Sequence, residues 1–518
     1  MRFLHACFKS RPLFTIGLRR AALVAVLLLG TPTDNVYAAT APASLSKVEK
    51  ARIEVMLTDE LQRIVNTQKR IEGQGTHVTV KVRLDTRTEM IVVDLGKNYV
   101  PRYYGDLEVE GLLRELTIGA SDLLMGIISI QGVEFRYGGK EIYHYFPDER
   151  PPNSTPRKNA TGPAASTTVV VAAGHGAYFH YGYNDWRFQR DPFNGIQEDL
   201  ITPTYAEELT SWMEERSRAT ILSPRSHSTT ALHTPSGKSW WQIAARYNLE
   251  ATFPDNSSIW NSGKYPSTAP LRDYYQDINS RPRFANHVGA STLIHLHTNG
   301  LPGNPTASGT RLFHHAGRAV DQSLGNSILC CMKELIHAKE PYENYTVPDQ
   351  STAATDNGEN SQATMPSVIV EVGFHTNASD AAALEDPVFR TAAMKGVEKG
   401  YRLNAENKPC EPFGIASIPN AAGPQNEPIQ HIVNYRGFPQ FPVKAKMEFV
   451  SCQSGWTCNH FEVTFASSVL SPLVYTTTCR VASPRPPASF RVRTTLIDDD
   501  GVKADPVEHS YTCTTPAT

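Results

Sequence analysis

The sequence has few long apolar runs, no excess of basic residues and little cysteine. Its one pronounced apolar run, AALVAVLLLG at residues 21–30, is too short to span a bilayer comfortably. No second run supports a membrane anchor, so we expect no membrane span in the mature protein. Lysine and arginine total 50 against 52 aspartate and glutamate residues, and this balance argues against nucleic acid as a partner.

The apolar run has the flanks of a secretory signal. Basic residues precede it, and the small residues around Val36-Tyr37-Ala38 follow it at a distance suited to cleavage. We therefore expect residues 1–38 to be a signal peptide, which places the mature protein in the periplasm or outside the cell.

Seven of the eight cysteines lie beyond residue 329, and five of those lie beyond residue 405. In an exported chain such clustering indicates structural disulfides. We predict the pairs Cys452–Cys458 and Cys479–Cys513, although sequence alone does not fix connectivity. Because seven is odd, at least one cysteine is expected to stay free or to pair between chains.

Composition and periodicity divide the chain into three folded parts joined by polar linkers. The predicted order is a signal peptide at 1–38, an α+β domain at 45–150, a linker at 151–166, a central domain at 167–404 with an insertion at 228–283, a linker at 405–428 and a C-terminal domain at 429–518. The last part has short β-like runs between turns and is expected to be a β-sandwich-like domain with disulfides. Within the first part we predict a helix at 47–71, strands at 78–84 and 89–95, a helix at 107–127 and a hairpin at 133–147.

The central domain alternates strands with helices and is predicted to be an α/β fold with a mainly parallel sheet covered by helices. Three continuous apolar runs, TTVVVAA, STLIHLH and SVIVEVGF, are its predicted buried strands. They lead to or carry three residues able to bind a metal: His175, His297 and Glu371. Since ligands bind beyond the carboxyl ends of the strands in open α/β sheets, we expect these residues to converge.

Some of these assignments have competitors nearby. His295 lies two residues before His297, so alternation places both on one face of the strand, and only the position at the strand end favours His297. Glu198, just ahead of an amphipathic helix, is a further candidate, and its competitors are Asp199, Glu207 and Glu208. A glutamate at 371 is costly to bury without a partner, so it is either functional or part of a structural ion pair.

Two histidines and one glutamate with an open fourth position are the usual composition of a catalytic zinc centre. Zinc bound in this way lowers the pKa of its water to about 7. A carboxylate beside the metal can then serve as general base.

Six short segments match the motifs of one known family in the same order. They are AAGHG (172–176), QEDL (197–200), ATILSPRS (219–226), RFANHVGASTLIHLHTNG (283–300), SGTRLF (308–313) and MPSVIVEVGFHTNASDAAAL (365–384). Together they resemble the zinc-dependent N-acetylmuramoyl-L-alanine amidases, a family of bacterial cell-wall hydrolases.

The resemblance covers residues of about 167–404 and implies a helix-covered, mainly parallel α/β sheet. It implies that His175, Glu198 and His297 bind one Zn²⁺ ion and that Glu371 is the catalytic carboxylate. It also implies peptidoglycan as the partner and substrate, cleaved at the amide between N-acetylmuramic acid and the first L-Ala of the stem peptide. It identifies no protein activator.

The chain departs from the family after Gly176, where AYFHYGY stands in place of a small, acidic, glycine-rich turn. We expect this aromatic loop (177–188) and the insertion to reshape the cleft, and His375, which replaces an apolar residue, to be able to approach it. The other histidines, at 180, 314 and 315, are expected at the surface or beside the site. Two other functions stay open: a wall-binding or adhesion protein without activity, and a zinc peptidase acting on another wall peptide bond.

Overall fold

The computed structural model describes residues 45–104, 107–124, 127–150, 164, 167–267, 269–354, 358–466 and 471–515. The predicted signal peptide, and all of the predicted linker at 151–166 except residue 164, lie outside the described residues. In the part of the chain that is described, no helix combines the length and the apolar character needed to cross a membrane.

The N-terminal part folds as an α+β unit around its own apolar core. Its elements are α1 (Lys47–Thr67), β1 (Lys81–Asp85), β2 (Met90–Asp94), α2 (Leu107–Leu124) and β3 (Gly132–Arg136). The predicted hairpin at 133–147 is wrong. β3 pairs in parallel with β2, and the chain beyond it makes one isolated bridge, Tyr137 to Lys140, before two short 3₁₀ turns. The Gly-Gly pair gives the tight turn but no second strand follows it.

The central part alternates strands and helices as its sequence predicts. Its elements are β4 (Thr168–Ala173), β5 (Tyr178–His180), β6 (Asp185–Arg187), α3 (Glu198–Trp212), β7 (Thr220–Leu222), β8 (Leu232–His233), β9 (Lys238–Ser239), α4 (Ala245–Thr252), α5 (Ser257–Trp260), α6 (Arg272–Val288), β10 (Thr292–Asn299), β11 (Arg311–His315), α7 (Ala319–His337), β12 (Thr352–Ala354), α8 (Gly358–Ser361), β13 (Ser367–Phe374), α9 (Ala378–Glu385) and α10 (Pro387–Ala405). The segment predicted as an insertion at 228–283 contains α4 and α5 and ends inside α6.

One nine-stranded sheet joins the first two parts, in the order β1-β2-β3-β12-β11-β13-β10-β4-β7. Only the β1–β2 and β11–β13 pairs are antiparallel, so the predicted mainly parallel α/β class is confirmed. The link between the two parts is short, since β3 meets β12 only at Gly132 with Ala353 and at Val133 with Ala354.

The alternation of side chains along the strands divides the core between the two faces of the sheet. Val169 and Val171 of β4 pack with α3, α7 and α10 on one face, whereas Val170 packs with α4, α5 and α6 on the other. Continuous apolar strands are required because both faces are covered.

The C-terminal part is a β-sandwich-like domain of two sheets, β14-β16-β19 and β15-β21-β20-β17-β18. Its strands are β14 (Gly414–Ser417), β15 (Ala421–Pro424), β16 (Pro428–Arg436), β17 (Val443–Ser451), β18 (Phe461–Phe465), β19 (Leu473–Thr478), β20 (Ala488–Ile497) and β21 (Val507–Thr514). The predicted disulfides Cys452–Cys458 and Cys479–Cys513 are confirmed. A third disulfide, Cys330–Cys410, ties α7 to the segment leading into this domain, and Cys331 is the free thiol among the described cysteines.

A buried ion cluster attaches the C-terminal domain to the central one. Asp500, in the loop between β20 and β21, accepts two hydrogen bonds from Arg216, at 2.7 and 2.8 Å, and one from Lys395 at 2.8 Å. Burial alone would raise the pKa of this carboxyl, but the two cations outweigh it and lower the pKa to about 2.

The short β3–β12 link can be tested at Gly132, because a Cβ atom there would collide with the backbone carbonyl of Ala353. We expect Gly132→Val to lower the free energy of unfolding by about 2 kcal/mol, as overpacking at a closed strand junction does. Thermal unfolding, combined with limited proteolysis between the two parts, measures the effect. Gly303→Ala is the matched control, since open space surrounds Gly303, and an equal loss in both variants would contradict the proposed role of the junction.

Candidate metal centre and active site

His175 stands in a turn that directly follows β4, with a left-handed φ of 61°. Two glycines flank it for different physical reasons. A Cβ on Gly174 would collide with the ring of His297, and one on Gly176, whose φ is 130°, would reach to 2.6 Å from the backbone of Ala244. The GHG sequence therefore lets two histidine rings and a neighbouring backbone segment meet at the end of one strand.

The structure brings His175, Glu198 and His297 together. The Nε2 atom of His175, the Nδ1 atom of His297 and the Oε1 atom of Glu198 lie 3.1 Å from one another, pair by pair. All three residues are buried, with at most 2% of their surface exposed. The three residues thus offer three ligand atoms close enough together to bind one metal ion.

The other nitrogen of each histidine ring points away from this triangle. His175 Nδ1 lies 3.0 Å from Gln189 Oε1, and His297 Nε2 lies 3.0 Å from Glu359 Oε2. The ring nitrogens that face inward are therefore free to present lone pairs, as metal-binding imidazoles do.

The three atoms fit a metal ion by distance and by chemistry. Ligands of a tetrahedral ion at 2.0–2.1 Å lie about 3.3 Å apart, close to the spacing found here. Two imidazole nitrogens and a carboxylate oxygen are all acceptors, so they repel one another unless a cation lies between them. The family resemblance points to the same three residues.

Burial and charge shift the pKa values of the three residues in different directions. Burial lowers the pKa of His175 to about 3. Burial also disfavours the charged form of His297, but Glu359 and Glu198 outweigh it and raise the pKa to about 9. The two histidines hold the pKa of Glu198 well below its usual range, despite its burial. Without a metal, the triangle thus keeps one proton, on His297.

Glu371 stands beside His297 in the parallel register of β10 and β13. Val370 and Val372 belong to the core on one face of the sheet, so Glu371 lies on the opposite face. It is completely buried, and its Oε1 atom lies 3.0 Å from the guanidinium of Arg114. Burial raises the pKa of Glu371, and the charge of Arg114 opposes that rise.

Arg114 belongs to α2, so the N-terminal part reaches into this site. Two further contacts fix α2 there. Asp122 forms a 2.8 Å ion pair with Arg311 of β11, and Ile118 packs against Leu301 and Phe374 of the central part. A residue outside the segment that resembles the amidases therefore touches the predicted catalytic carboxylate.

Asp199 and Arg225 hold the backbone around the triangle. The carboxylate of Asp199 accepts hydrogen bonds from the backbone N–H groups of Gly176 and Gln189, both at 2.8 Å, and of Arg190 at 3.1 Å. The guanidinium of Arg225 donates to the carbonyl oxygens of Gly174, Asp199 and Trp241 at 2.9, 3.1 and 2.6 Å. Asp199, a competitor of Glu198 in the sequence, thus supports the site from behind.

A cleft of about 550 Å³ opens beside Glu198. Its lining is shared between the N-terminal part, the aromatic loop and the segment after β10, and includes Lys69, Arg114, Tyr178, His180, Arg187, Arg190, Tyr274, Gly300 and His375. The aromatic loop forms the β5–β6 hairpin, and Tyr178 packs on Tyr274 of α6. The loop and the predicted insertion therefore build one wall together.

The remaining predicted residues are easily placed. His375 approaches the site as expected, lining the cleft and forming a 2.9 Å hydrogen bond with the hydroxyl of Thr298. His295 is buried but its Nδ1 atom lies 3.2 Å from Glu359, outside the triangle. Glu208 binds Arg390 at 2.8 Å, away from the site.

Four residues that contact this site are not predicted from the sequence: Arg114, Gln189, Arg225 and Glu359. Arg225 lies in ATILSPRS, so a search for buried cations at strand ends would have found it. Arg114, Gln189 and Glu359 lie in segments whose sequence does not indicate which part of the fold they contact. Only the folded chain shows that they reach the site.

Comparison with known proteins supplies the family. Residues 169–402 match the family model described as N-acetylmuramoyl-L-alanine amidase. This segment, less than half of the chain, is similar to that family. The resemblance seen in the sequence is thereby confirmed, and the segment is called the amidase domain below.

Several solved structures are similar to the chain at low identity. The CwlD amidase from Clostridioides difficile, solved with the GerS lipoprotein, has 13% identity and a TM-score of 0.32, and the match covers 47% of this chain and 100% of that one. AmiC2 of Nostoc punctiforme has 14% identity and a TM-score of 0.30, and the match covers 45% of this chain and 94% of that one. The catalytic domain of CwlV from Bacillus (Paenibacillus) polymyxa var. colistinus has 16% identity and a TM-score of 0.27, and the match covers 45% of this chain and 95% of that one. No curated protein matches the chain. The family assignment rests on the family model alone.

Because Arg225 holds the backbone around the site, we expect removal of its guanidinium to destabilise the fold strongly. Arg225→Met keeps most of the side-chain volume but removes three hydrogen bonds to backbone carbonyl oxygens, of which only that of Gly174 keeps another donor in the described part of the chain, the hydroxyl of Thr202, so we expect a loss of about 3 kcal/mol in unfolding free energy. Chemical denaturation measures it. Arg283→Met is the control, because Arg283 makes one 3.3 Å hydrogen bond near the surface, and a similar loss in both would refute the role of Arg225.

The shifted pKa values predict the protonation of the metal-free protein. We expect His297 to keep its proton up to about pH 9 and His175 to stay neutral down to about pH 3. The His297 contribution to stability is therefore complete below pH 6.5 and is lost as pH rises through 9. Histidine ring resonances followed by NMR across this range test the prediction, and a neutral His297 at pH 7 would contradict it.

Proposed function

We propose that this protein is an exported, zinc-dependent amidase that hydrolyses the bond between N-acetylmuramic acid and L-Ala in peptidoglycan. The observation that carries the proposal is the 3.1 Å triangle of His175, Glu198 and His297, inside a domain similar to the amidase family. The three disulfides in the described part of the chain support export, because such bonds persist in oxidising compartments.

The residues present suit zinc-assisted hydrolysis. When bound, zinc supplies a Lewis acid that polarises the scissile carbonyl and lowers the pKa of water. Glu371 takes the proton of the attacking water and gives it to the departing amine. Burial raises the pKa of Glu371 and the charge of Arg114 opposes that rise, so the site supports both the carboxylate that accepts the proton and the acid that donates it.

Cations and carboxylates together line the cleft. Lys69, Arg114, Arg187 and Arg190 stand among Glu115, Asp191 and Glu198. Arg114 and Arg190 already face Glu371 and Glu198, at 3.0 and 3.6 Å, so Lys69 and Arg187 are the cations that we expect to attract a substrate carrying carboxylates, as peptidoglycan stem peptides do.

The central prediction separates the ligand role from the base role. Glu371→Gln is expected to lower the rate of stem-peptide release from purified sacculi by about 10²–10⁴-fold while zinc stays bound. His297→Ala is expected to lose zinc and activity together. Mass spectrometry of the digest, with and without chelator, and metal analysis of each variant give the readouts.

The control is Glu385→Gln, because Glu385 is exposed at the end of α9. Loss of zinc from Glu371→Gln would make Glu371 a ligand instead of the base. Products that retain L-Ala on the sugar would favour a zinc peptidase, and binding to sacculi without release would favour a wall-binding protein. A zinc-free, inert wild-type protein would overturn the proposal.

A further inference from the structure

We propose that Glu359 is a positioning residue that fixes which nitrogen of His297 faces the zinc, and that a buried chain through Arg281, Asp277 and Gln189 does the same for His175. This inference rests on the proposed zinc site. It concerns residues outside the three predicted ligands, on α6, α8 and the segment between β6 and α3.

His297 lies between two carboxylates. Its Nδ1 atom is 3.1 Å from Glu198 Oε1, and its Nε2 atom is 3.0 Å from Glu359 Oε2. A carboxylate can only accept, so Glu359 holds the hydrogen on Nε2 and leaves Nδ1 to offer its lone pair to the metal. Among the described residues, Glu359 is the hydrogen-bond partner that the structure shows on that side of the ring, and it selects this tautomer.

Glu359 is itself held in place. Its side chain is 4% exposed, and its Oε1 atom lies 2.8 Å from the guanidinium of Arg281, which is completely buried. Its Oε2 atom also lies 3.2 Å from His295 Nδ1. A buried carboxylate requires such a cation, and the pair keeps the Glu359 oxygen aimed at His297.

The chain continues to the other histidine. The guanidinium of Arg281 lies 3.5 Å from Asp277 Oδ2, and the same oxygen accepts a 3.0 Å hydrogen bond from Gln189 Nε2. Because Asp277 can only accept, Gln189 must turn its NH₂ group toward Asp277 and its oxygen toward His175 Nδ1. His175 then carries its hydrogen on Nδ1 and offers Nε2 to the metal.

The two ligands therefore use different nitrogens, Nε2 in His175 and Nδ1 in His297, and one continuous network determines both choices. The network also explains His295. It does not bind the metal, and it contacts the carboxylate that orients its neighbour on the strand.

The experiment measures metal binding directly. Zinc affinity is determined by competition with a chromophoric chelator, and the absorption spectrum of the Co²⁺-loaded protein reports ligand geometry. Glu359→Ala is expected to weaken zinc binding by about 10–100-fold and to change the Co²⁺ spectrum. Glu359→Gln, whose amide oxygen can still accept from Nε2, is expected to restore much of both.

Glu398→Ala is the matched control. Glu398 is a fully buried glutamate that accepts hydrogen bonds from Arg402 and Ser217, both at 2.7 Å, and contacts neither histidine ligand. Wild-type affinity and spectrum in Glu359→Ala would overturn the inference, as would equal weakening in Glu398→Ala. If Glu359→Ala does not fold, Glu359→Leu takes its place, and an unchanged zinc affinity and Co²⁺ spectrum in that variant would overturn the inference. A wild-type protein that binds no zinc overturns the proposed function itself.

Discussion

Three acceptor atoms brought to 3.1 Å of one another in a buried place constrain the rest of the amidase domain. Such a group is repulsive unless a cation or a proton joins it, so the surrounding fold has to hold it together. Arg225 and Asp199 bind the backbone that carries two of the three residues, and Gly174 leaves room for the second ring. The site thus depends on rigid support from behind, which is how catalytic metal sites keep their geometry.

Much of the fold was predictable because burial leaves a clear pattern in the sequence. Strands β4, β10 and β13 are covered on both faces, so each is a continuous apolar run, and the three residues proposed for chemistry follow or interrupt those runs. The position at the strand end also distinguished His297 from His295, which lies only two residues before it. The hairpin at 133–147 was wrong because a turn signal does not say whether a second strand has a partner.

The residues that could not be predicted from the sequence are those whose roles depend on contacts between distant parts of the chain. Arg114 meets Glu371 across 257 positions of chain, and no local periodicity encodes that meeting. Glu359 lies in a four-residue helix within a polar segment that reads as an ordinary loop. Their side chains act through geometry set by the whole sheet, so only the folded chain identifies them.

The shared sheet also sets an order of events during synthesis. One edge of β3 stays uncovered until β12, which lies about 220 residues later in the chain, pairs with it. The N-terminal unit has its own apolar core and can collapse early, but until then it presents unpaired backbone groups, which invite pairing with other chains. The polypeptide therefore passes through a stage at which three of the nine strands of its largest sheet have formed with one edge uncovered, and protecting that edge from aggregation is a task for the cell as much as for the sequence.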